Sequence, residues 1–344
     1  MAKPLGLYPA GRLACLLVLL AIGALAGCSR RPRLLEAAYV SAPQASLRDQ
    51  VAQIYNRVGM VKNGERVEIL DREKRFVRVR TSAGLEGWIE QRYLVDQKTF
   101  DDMQKLAQGN QNDPVQAPGV LRNETNLHVT PGRETEHLYQ LAANAKVQIL
   151  KRATAERQVA GAPVAKPVSD RPAAKSPSAP VLEDWWLVRD DQGHVGWVLA
   201  RMVDVDAPLE ISQYAGGQRF VAFFTLNEVE DRDKKVPQYL CLLTEPHDGL
   251  PYDYDQVRVF TWNVRKHRYE TAYREHRLEG VLPVTVGTEN FDKEGTLPVF
   301  SLRVRDEAGS TAERRYKLNT PLVRRVLSPG EVISHPARKK NKKN

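Results

Sequence analysis

The sequence predicts an all-β protein: two small β-barrels followed by an antiparallel β-sandwich or propeller-blade-like domain. Three observations predict it. The chain has 344 residues, enough for two or three domains. Two of its stretches match each other in fixed order at constant offsets, the signature of a duplicated unit. A long C-terminal region alternates bulky and polar residues between short turns, the pattern of half-buried strands.

The first element is a leader. Lys3 and Arg12 precede an uncharged apolar run from Leu13 to Leu25, too short to span a bilayer and laid out like a secretory signal. It ends in Leu25-Ala26-Gly27-Cys28. This motif resembles the lipobox of bacterial lipoproteins. The resemblance implies a signal peptide at 1–27, lipidation of Cys28, attachment to a membrane through that lipid, and a mature chain facing the periplasm or cell exterior. Ser29 follows the cysteine, and the absence of Asp there resembles outer-membrane sorting in some bacteria.

Charge narrows the partners. The formal net charge is +9, but the leader, Arg30, Arg31 and Arg33, and the tail cations Arg338, Lys339, Lys340, Lys342 and Lys343 leave residues 36–337 at −1. A nucleic-acid surface needs basicity on the fold itself, so no nucleic acid is expected. The arginines after Cys28 suit anionic headgroups, and residues 331–344 read as a basic disordered tail. Of three cysteines, only Cys241 remains once Cys15 leaves with the signal and Cys28 is lipidated. Its apolar neighbours predict a buried small residue.

The duplication sets the architecture. Leu47, Val67, Ile69 and Leu70 align with Leu127, Val147, Ile149 and Leu150 at an offset of 80. After an insertion the offset is 109: Phe76–Arg80 aligns with Trp185–Arg189, and Gly84–Ile89 with Gly193–Val198. Asn63-Gly64 predicts a turn before the Val67 strand, and Val77 and Val79 alternate with Arg78 and Arg80 as a half-buried strand. About five short strands in each copy suggest a small barrel.

The Gly-x-x-Gly-Trp-[Ile/Val] signature, preceded by Val-Arg-Val-Arg and followed by Arg92-Tyr93-Leu94, resembles the bacterial SH3 (SH3b) family. The resemblance covers residues 37–96 and 119–205. It implies two SH3-like barrels that recognise peptidoglycan or another envelope ligand without catalysis. Candidate groove aromatics are Tyr55, Trp88 and Tyr93 in the first copy and Trp185, Trp186 and Trp197 in the second. Trp88 and Trp197 also read as core-filling rings, since large aromatics dominate small cores. Adjacent Trp185 and Trp186 should face opposite sides of a strand, one in the core and one exposed. Met202 stands where Tyr93 does, which alters the second groove.

Between the barrels, residues 97–118 read as a linker with a short helix: Thr99 and Asp102 form a capping-box pattern, and Phe100, Met103 and Leu106 recur at helical spacing. The insertion 151–182, with five Pro, eight Ala and no aromatic residue, reads as a disordered loop. The last domain, 206–330, is predicted as strands at Arg219–Val229, Gln238–Leu243, Gln256–Trp262, His267–Tyr273, Leu282–Val286, Leu297–Val304 and Glu313–Leu318, with Asn263–Lys266 as a hairpin loop.

Catalytic signatures are missing from the sequence. It holds no Gly-x-Ser-x-Gly, no His-Glu-x-x-His, no phosphate loop and no paired metal-spaced cysteines. Cys241 lies in an apolar run, His247 in a turn, and His267 and His276 in charged surroundings. Tyr252–Asp255 is acidic but reads as a solvated loop rather than a Ca²⁺ site. No cofactor, metal or catalytic residue is expected. The sequence therefore predicts a lipid-anchored, non-catalytic envelope protein binding peptidoglycan or envelope proteins. The alternatives are a scaffold subunit of an envelope complex and a cell-wall hydrolase.

Overall fold

A computed structural model describes residues 36–157, 180–306 and 308–327. The leader, Cys28, the basic tail and most of the predicted disordered insertion lie outside the described residues. The described chain folds into three antiparallel seven-stranded sheets. Among the described residues, no helix is long and apolar enough to cross a membrane.

The first barrel contains β1 (Glu36–Val40), β2 (Gln44–Arg48), β3 (Arg57–Lys62), β4 (Arg66–Glu73), β5 (Phe76–Thr81), β6 (Glu86–Glu90) and β7 (Leu94–Asp96), in the order β3-β2-β6-β5-β4-β1-β7. The second contains β8 (Ala117–Leu121), β9 (Thr125–His128), β10 (His137–Leu141), β11 (Lys146–Glu156), β12 (Leu182–Arg189), β13 (Val195–Leu199) and β14 (Val203–Val205), in the order β10-β9-β13-β12-β11-β8-β14. These are the same topology, strand for strand. The equivalence reaches single residues. The β4–β5 ladder breaks register at Leu70, and the β11–β12 ladder breaks at Leu150. Arg48 pairs with Trp88, and His128 pairs with Trp197.

The two glycines of the repeated motif have separate physical reasons. Gly84 and Gly193 sit at φ +81° and +86°, where a Cβ is strained. Gly87 and Gly196 sit under the preceding hairpin: a Cβ on them would lie 2.8 Å from Leu47 Cβ and 2.5 Å from Leu127 Cβ. Leu47 and Leu127 are each fully buried, so neither can retreat without opening its core.

Helix α1 (Gln97–Gly109) joins the barrels. Its cap is Asp96, whose carboxylate accepts from the N–H and hydroxyl of Thr99; the predicted Thr99/Asp102 box is displaced by one turn. Asp102 pairs instead with Lys98 and Lys105 along the helix face. Phe100 stacks on Tyr39 of β1 at 4.0 Å, and Leu106 and Ala107 pack on Leu150, Leu187 and Val195 of the second barrel. Asn63 makes a second joint: its side-chain amide donates to the carbonyls of Ser41 and Leu138, and its oxygen accepts from the Gln140 N–H.

The insertion is shorter than the sequence predicts. β11 runs to Glu156 and β12 starts at Leu182, so both ends of the expected loop are ladder, pairing Glu156 with Leu182. The third sheet is a meander in chain order: β15 (Arg219–Asp231), β16 (Lys234–Thr244), β17 (Tyr254–Asn263), β18 (Arg268–Phe291), β19 (Gly295–Arg305), β20 (Thr311–Asn319) and β21 (Leu322–Val326). Two strands predicted apart, His267–Tyr273 and Leu282–Val286, are halves of the long β18. Its first half pairs with β17 and its second with β19. Gly280 lies at the changeover, where the Tyr254 ring approaches so closely that a Cβ would meet it at 2.1 Å.

The second barrel and the third sheet share one apolar core, running from Leu127, Ile149 and Trp186 to Val221, Leu242 and Phe300. The first barrel keeps a core of its own around Leu47, Val67 and Val79. Two buried polar links span the shared interface. The fully buried Gln116 side chain exchanges two hydrogen bonds with the Val284 backbone. Arg152, whose side chain is 4% exposed, bridges Asp184 at 2.6 Å and Asp253 at 3.2 Å, and donates to the carbonyls of Leu250 and Tyr252. The acidic run at 252–255 is therefore docked against the barrel rather than solvated, since Asp253 also accepts from the Leu282 N–H.

Burial opposes ionisation of Asp184, but hydrogen bonds from Arg152 and the Gly249 N–H outweigh it and hold the carboxyl below its usual range. Burial dominates at Asp253 and pushes that carboxyl up, against Arg152 and the Leu282 N–H. The signs differ. Asp184 contributes stability above its unfolded pKa that is lost as pH falls through the depressed folded value. Asp253 contributes stability at low pH that is lost as pH rises through its raised value.

Two stability outcomes follow. Gly196→Ala destabilises by about 1–3 kcal/mol through overpacking against Leu127, measured by urea denaturation. Arg152→Met costs about 3 kcal/mol at neutral pH by leaving Asp184 buried and ionised with only Arg219 and the Gly249 N–H as partners, and by removing the partner of Asp253. That penalty shrinks when melting is repeated below about pH 4, where carboxylates gain protons.

Candidate functional site

The first barrel carries an open cleft of about 410 Å³ lined by Arg48, Val51, Ala52, Gln53, Lys74, Arg75 and Phe76. Arg48 is the last residue of β2, and its guanidinium sits 4.0 Å over the Tyr55 ring and 5.0 Å over the Phe76 ring. Arg75 lies 5.4 Å over Phe76. The hairpin between β4 and β5 is two residues long, and Lys74 takes its left-handed position at φ +53°. A lysine there accepts strain that glycine would avoid, and it sets a cation on the rim. Three cations and no carboxylate line the cleft. Glu90 reaches Arg48 from outside the lining at 3.6 Å. The arrangement suits a carboxylate seated among cations that aromatic faces hold in place.

The same position in the second barrel is closed. By the repeat offsets, Gln53 corresponds to Arg133, Lys74 to Glu183, Arg48 to His128 and Phe76 to Trp185. Arg133 donates twice to Glu183, at 2.8 and 2.6 Å, tying together the two elements that stand apart in the first copy. The Glu183 carboxyl is held below its usual range by Arg133, against its burial. His128 packs edge-on against Trp185 at 5.4 Å and bonds Thr135 through Nδ1. Burial pushes the His128 imidazole down, toward the neutral ring.

Residues 44–95 match the Bacterial SH3 domain family. The match spans β2 to β7 and contains the open cleft. The second barrel, with the same topology, lies beyond it. No curated protein matches the chain. Among solved structures, NlpC2 from Trichomonas vaginalis is similar at 15% identity over 53% of this chain and 54% of that one, with a TM-score of 0.16. An NlpC/P60 family protein from Bacillus cereus is similar at 11% identity over 56% and 65%, with a TM-score of 0.23. NlpC1 from Trichomonas vaginalis is similar at 9% identity over 69% and 87%, with a TM-score of 0.16. The chain thus spans about half to two thirds of the first two. The sequence-based expectation of a non-catalytic envelope-binding protein, with a hydrolase as an alternative, is corrected on this point: the solved structures similar to the chain are NlpC-type proteins. At these TM-scores the likeness places no active site on the chain.

None of the predicted aromatics lines the cleft; Tyr55 lies beside it, its ring 4.0 Å from the Arg48 guanidinium. Trp88 and Trp197 are half-buried rather than core: each lies on the strand leaving the close-approach glycine, and Trp197 packs beside Leu187 and α1. Tyr93 ends the short helical turn Gln91–Tyr93 and is half-buried against the first core, its hydroxyl accepting from Arg92. Trp185 and Trp186 do face opposite sides, yet both are buried, at 2% and 3% exposure. Neither is an exposed contact, because β12 is covered on both faces: Trp186 enters the core shared with the third sheet, and Trp185 fills the closed cleft. Arg48, Lys74, Arg75 and Phe76 were missed. Their signal was a basic pair in a tight hairpin beside an aromatic residue, which an aromatic-led search passes over.

No catalytic cluster forms around the remaining candidates. Cys241 is fully buried, and burial pushes its thiol far above the ordinary range, so it supplies no thiolate at neutral pH. His267 bonds Asp231 at 2.6 Å, an oxygen that also accepts from the Trp262 indole. His276 bonds Gln256, and His247 bonds Glu245. Among the described residues, no group of three His, Cys, Asp or Glu side chains is placed to hold a metal ion.

Proposed function

We propose that this protein works at the bacterial cell wall, where its SH3 domain holds a carboxylate-bearing wall peptide in the cleft beneath Arg48, in the service of wall turnover. The single observation that carries this reading is the open, cationic, aromatic-backed cleft inside the segment that matches the bacterial SH3 family. Peptidoglycan stem peptides are extended and carry free carboxylates, and SH3-type grooves bind extended peptides. The second barrel, as a further member of the same family by its strand order, serves this reading as a closed copy that carries no ligand. The NlpC-type neighbours suggest hydrolysis as the process served. Cys241 does not supply its nucleophile.

The Leu25–Cys28 motif supports a lipid on Cys28 that holds the mature chain on a membrane, facing the periplasm or cell exterior, within reach of the wall.

Sedimentation with purified sacculi tests the cleft. Wild-type protein is expected to pellet with them, and Lys74→Gln or Arg48→Ala to weaken retention about tenfold, the scale of one lost charged hydrogen bond. Gln53→Arg combined with Lys74→Glu copies the closing pair of the second barrel and is expected to abolish retention while leaving the melting temperature intact. Equal retention by all variants refutes the site. Soluble fragments released by the purified protein alone would place the cutting centre in this chain. Mass spectrometry of protein extracted from membranes is expected to show an N-terminus at diacylated Cys28; an unmodified amine removes the anchor.

A further inference from the structure

The two barrels treat the same edge strand differently. β3 and β10 each end their sheet, pairing only with β2 and β9. At the offset of 80 they correspond residue for residue: Arg57 with His137, Val58 with Leu138, Met60 with Gln140. Along β10 the outer side is occupied. The Asn63 side chain of the first barrel donates to the Leu138 carbonyl at 2.8 Å and accepts from the Gln140 N–H at 3.1 Å. One residue of an added parallel strand would bond these same two groups. Leu138 is fully buried there, and Tyr139 stacks on His194 at 3.7 Å.

Among the described residues, no side chain bonds the corresponding Val58 carbonyl or Met60 N–H of β3. The Lys62 N–H donates to the Glu65 carboxylate rather than to β2. Alternate N–H groups of a strand point the same way, so that of Met60 also faces away from β2. The side chains are open too. Val58 is 38% exposed and Met60 36%. Leu85, also 36% exposed, is seated against Gly59, where a Cβ would meet it at 2.1 Å. An apolar strip along an unpaired strand edge is a pairing surface.

The charge beside the strip is positive. Arg57 and Lys62 are exposed at the two ends of the six-residue strand, and among the described residues neither makes an ion pair. The Arg57 guanidinium lies back along the strand, 3.8 Å from the Met60 sulfur. Of the neighbouring carboxylates, Asp49 is held by Asn56 and Glu65 by the Lys62 N–H. Cations on a short edge strand oppose pairing with a second copy and favour a partner that brings carboxylates. We propose that β3 is a docking strand. It takes an extended, acidic segment of a partner protein as an added strand, with apolar side chains over Val58, Met60 and Leu85 and carboxylates facing Arg57 and Lys62. This surface is separate from the cleft under Arg48, and the two readings fail independently.

Fluorescence anisotropy with a labelled, end-blocked peptide, Glu-Val-Thr-Val-Thr-Val-Glu, tests the proposal against the same peptide flanked by lysines. The acidic peptide is expected to bind about tenfold more tightly than the basic one. Arg57→Glu combined with Lys62→Glu changes exposed residues only and is expected to invert that preference. With the acidic peptide bound, hydrogen exchange at the Met60 N–H is expected to slow, a readout that charge attraction elsewhere on the surface does not move. Binding of neither peptide, equal binding of both, a preference that the double variant leaves unchanged, or unaltered exchange at Met60 overturns the proposal. So does loss of binding in Lys74→Gln, which puts the peptide in the cleft. Sedimentation of the peptide-free protein as a dimer that protects the same N–H gives the edge to a second copy and overturns it as well.

Discussion

One buried carboxylate organises most of this molecule. Asp184 is fully enclosed, at the start of β12, and three donors converge on it: Arg152 of the adjacent strand, Arg219 of the third sheet at 2.7 Å, and the Gly249 N–H. A buried charge is tolerated only when it is paired and hydrogen-bonded throughout. Meeting that requirement fixes where the third sheet docks. It also fixes the direction of every neighbour on β12. With Asp184 and Trp186 turned into the shared interface, Glu183 and Trp185 must face the other way, into the position of the second barrel's cleft. Arg133 and His128 then complete the closure.

The two barrels therefore differ at this position for a reason that lies in packing. In the first, the hairpin at Lys74 and Arg75 is short and exposed, and among the described residues β5, the equivalent of β12, pairs with β4 and β6. Its cations stay available. In the second, the strands continue past that hairpin position and carry the interface to the third sheet. The two barrels share their strand order, their glycines and their bulge, while the first has an open cationic cleft and the second has that position bridged and packs on the third sheet.

The repeat, the all-β class and the helix were legible in the sequence because they rest on local signals: periodic side chains, turn glycines and constant offsets. The fates of the tryptophans were not. A strand predicts that Trp185 and Trp186 face opposite ways, but whether the second face is solvent or protein depends on Asp184 finding Arg219, residues far apart in sequence. The same holds for Asp253, whose acidic neighbours suggest a wet loop until Arg152 arrives from the barrel. Asn63 read as a turn residue and is one, yet its side chain also joins the barrels. The cationic cleft was hidden for another reason: its charges come from β2 and from a hairpin that only the fold brings together.

The division of cores bears on how firmly the parts are joined. The second barrel and the third sheet share apolar packing and buried ion pairs, so separating them exposes both at once. The first barrel is attached through Tyr39 of β1, which stacks on Phe100 of α1 and joins the shared core, and through Asn63, which bonds the Leu138 and Gln140 backbone. The rest of its apolar packing stays in a core of its own, so this attachment buries less apolar surface than the one between the second barrel and the third sheet.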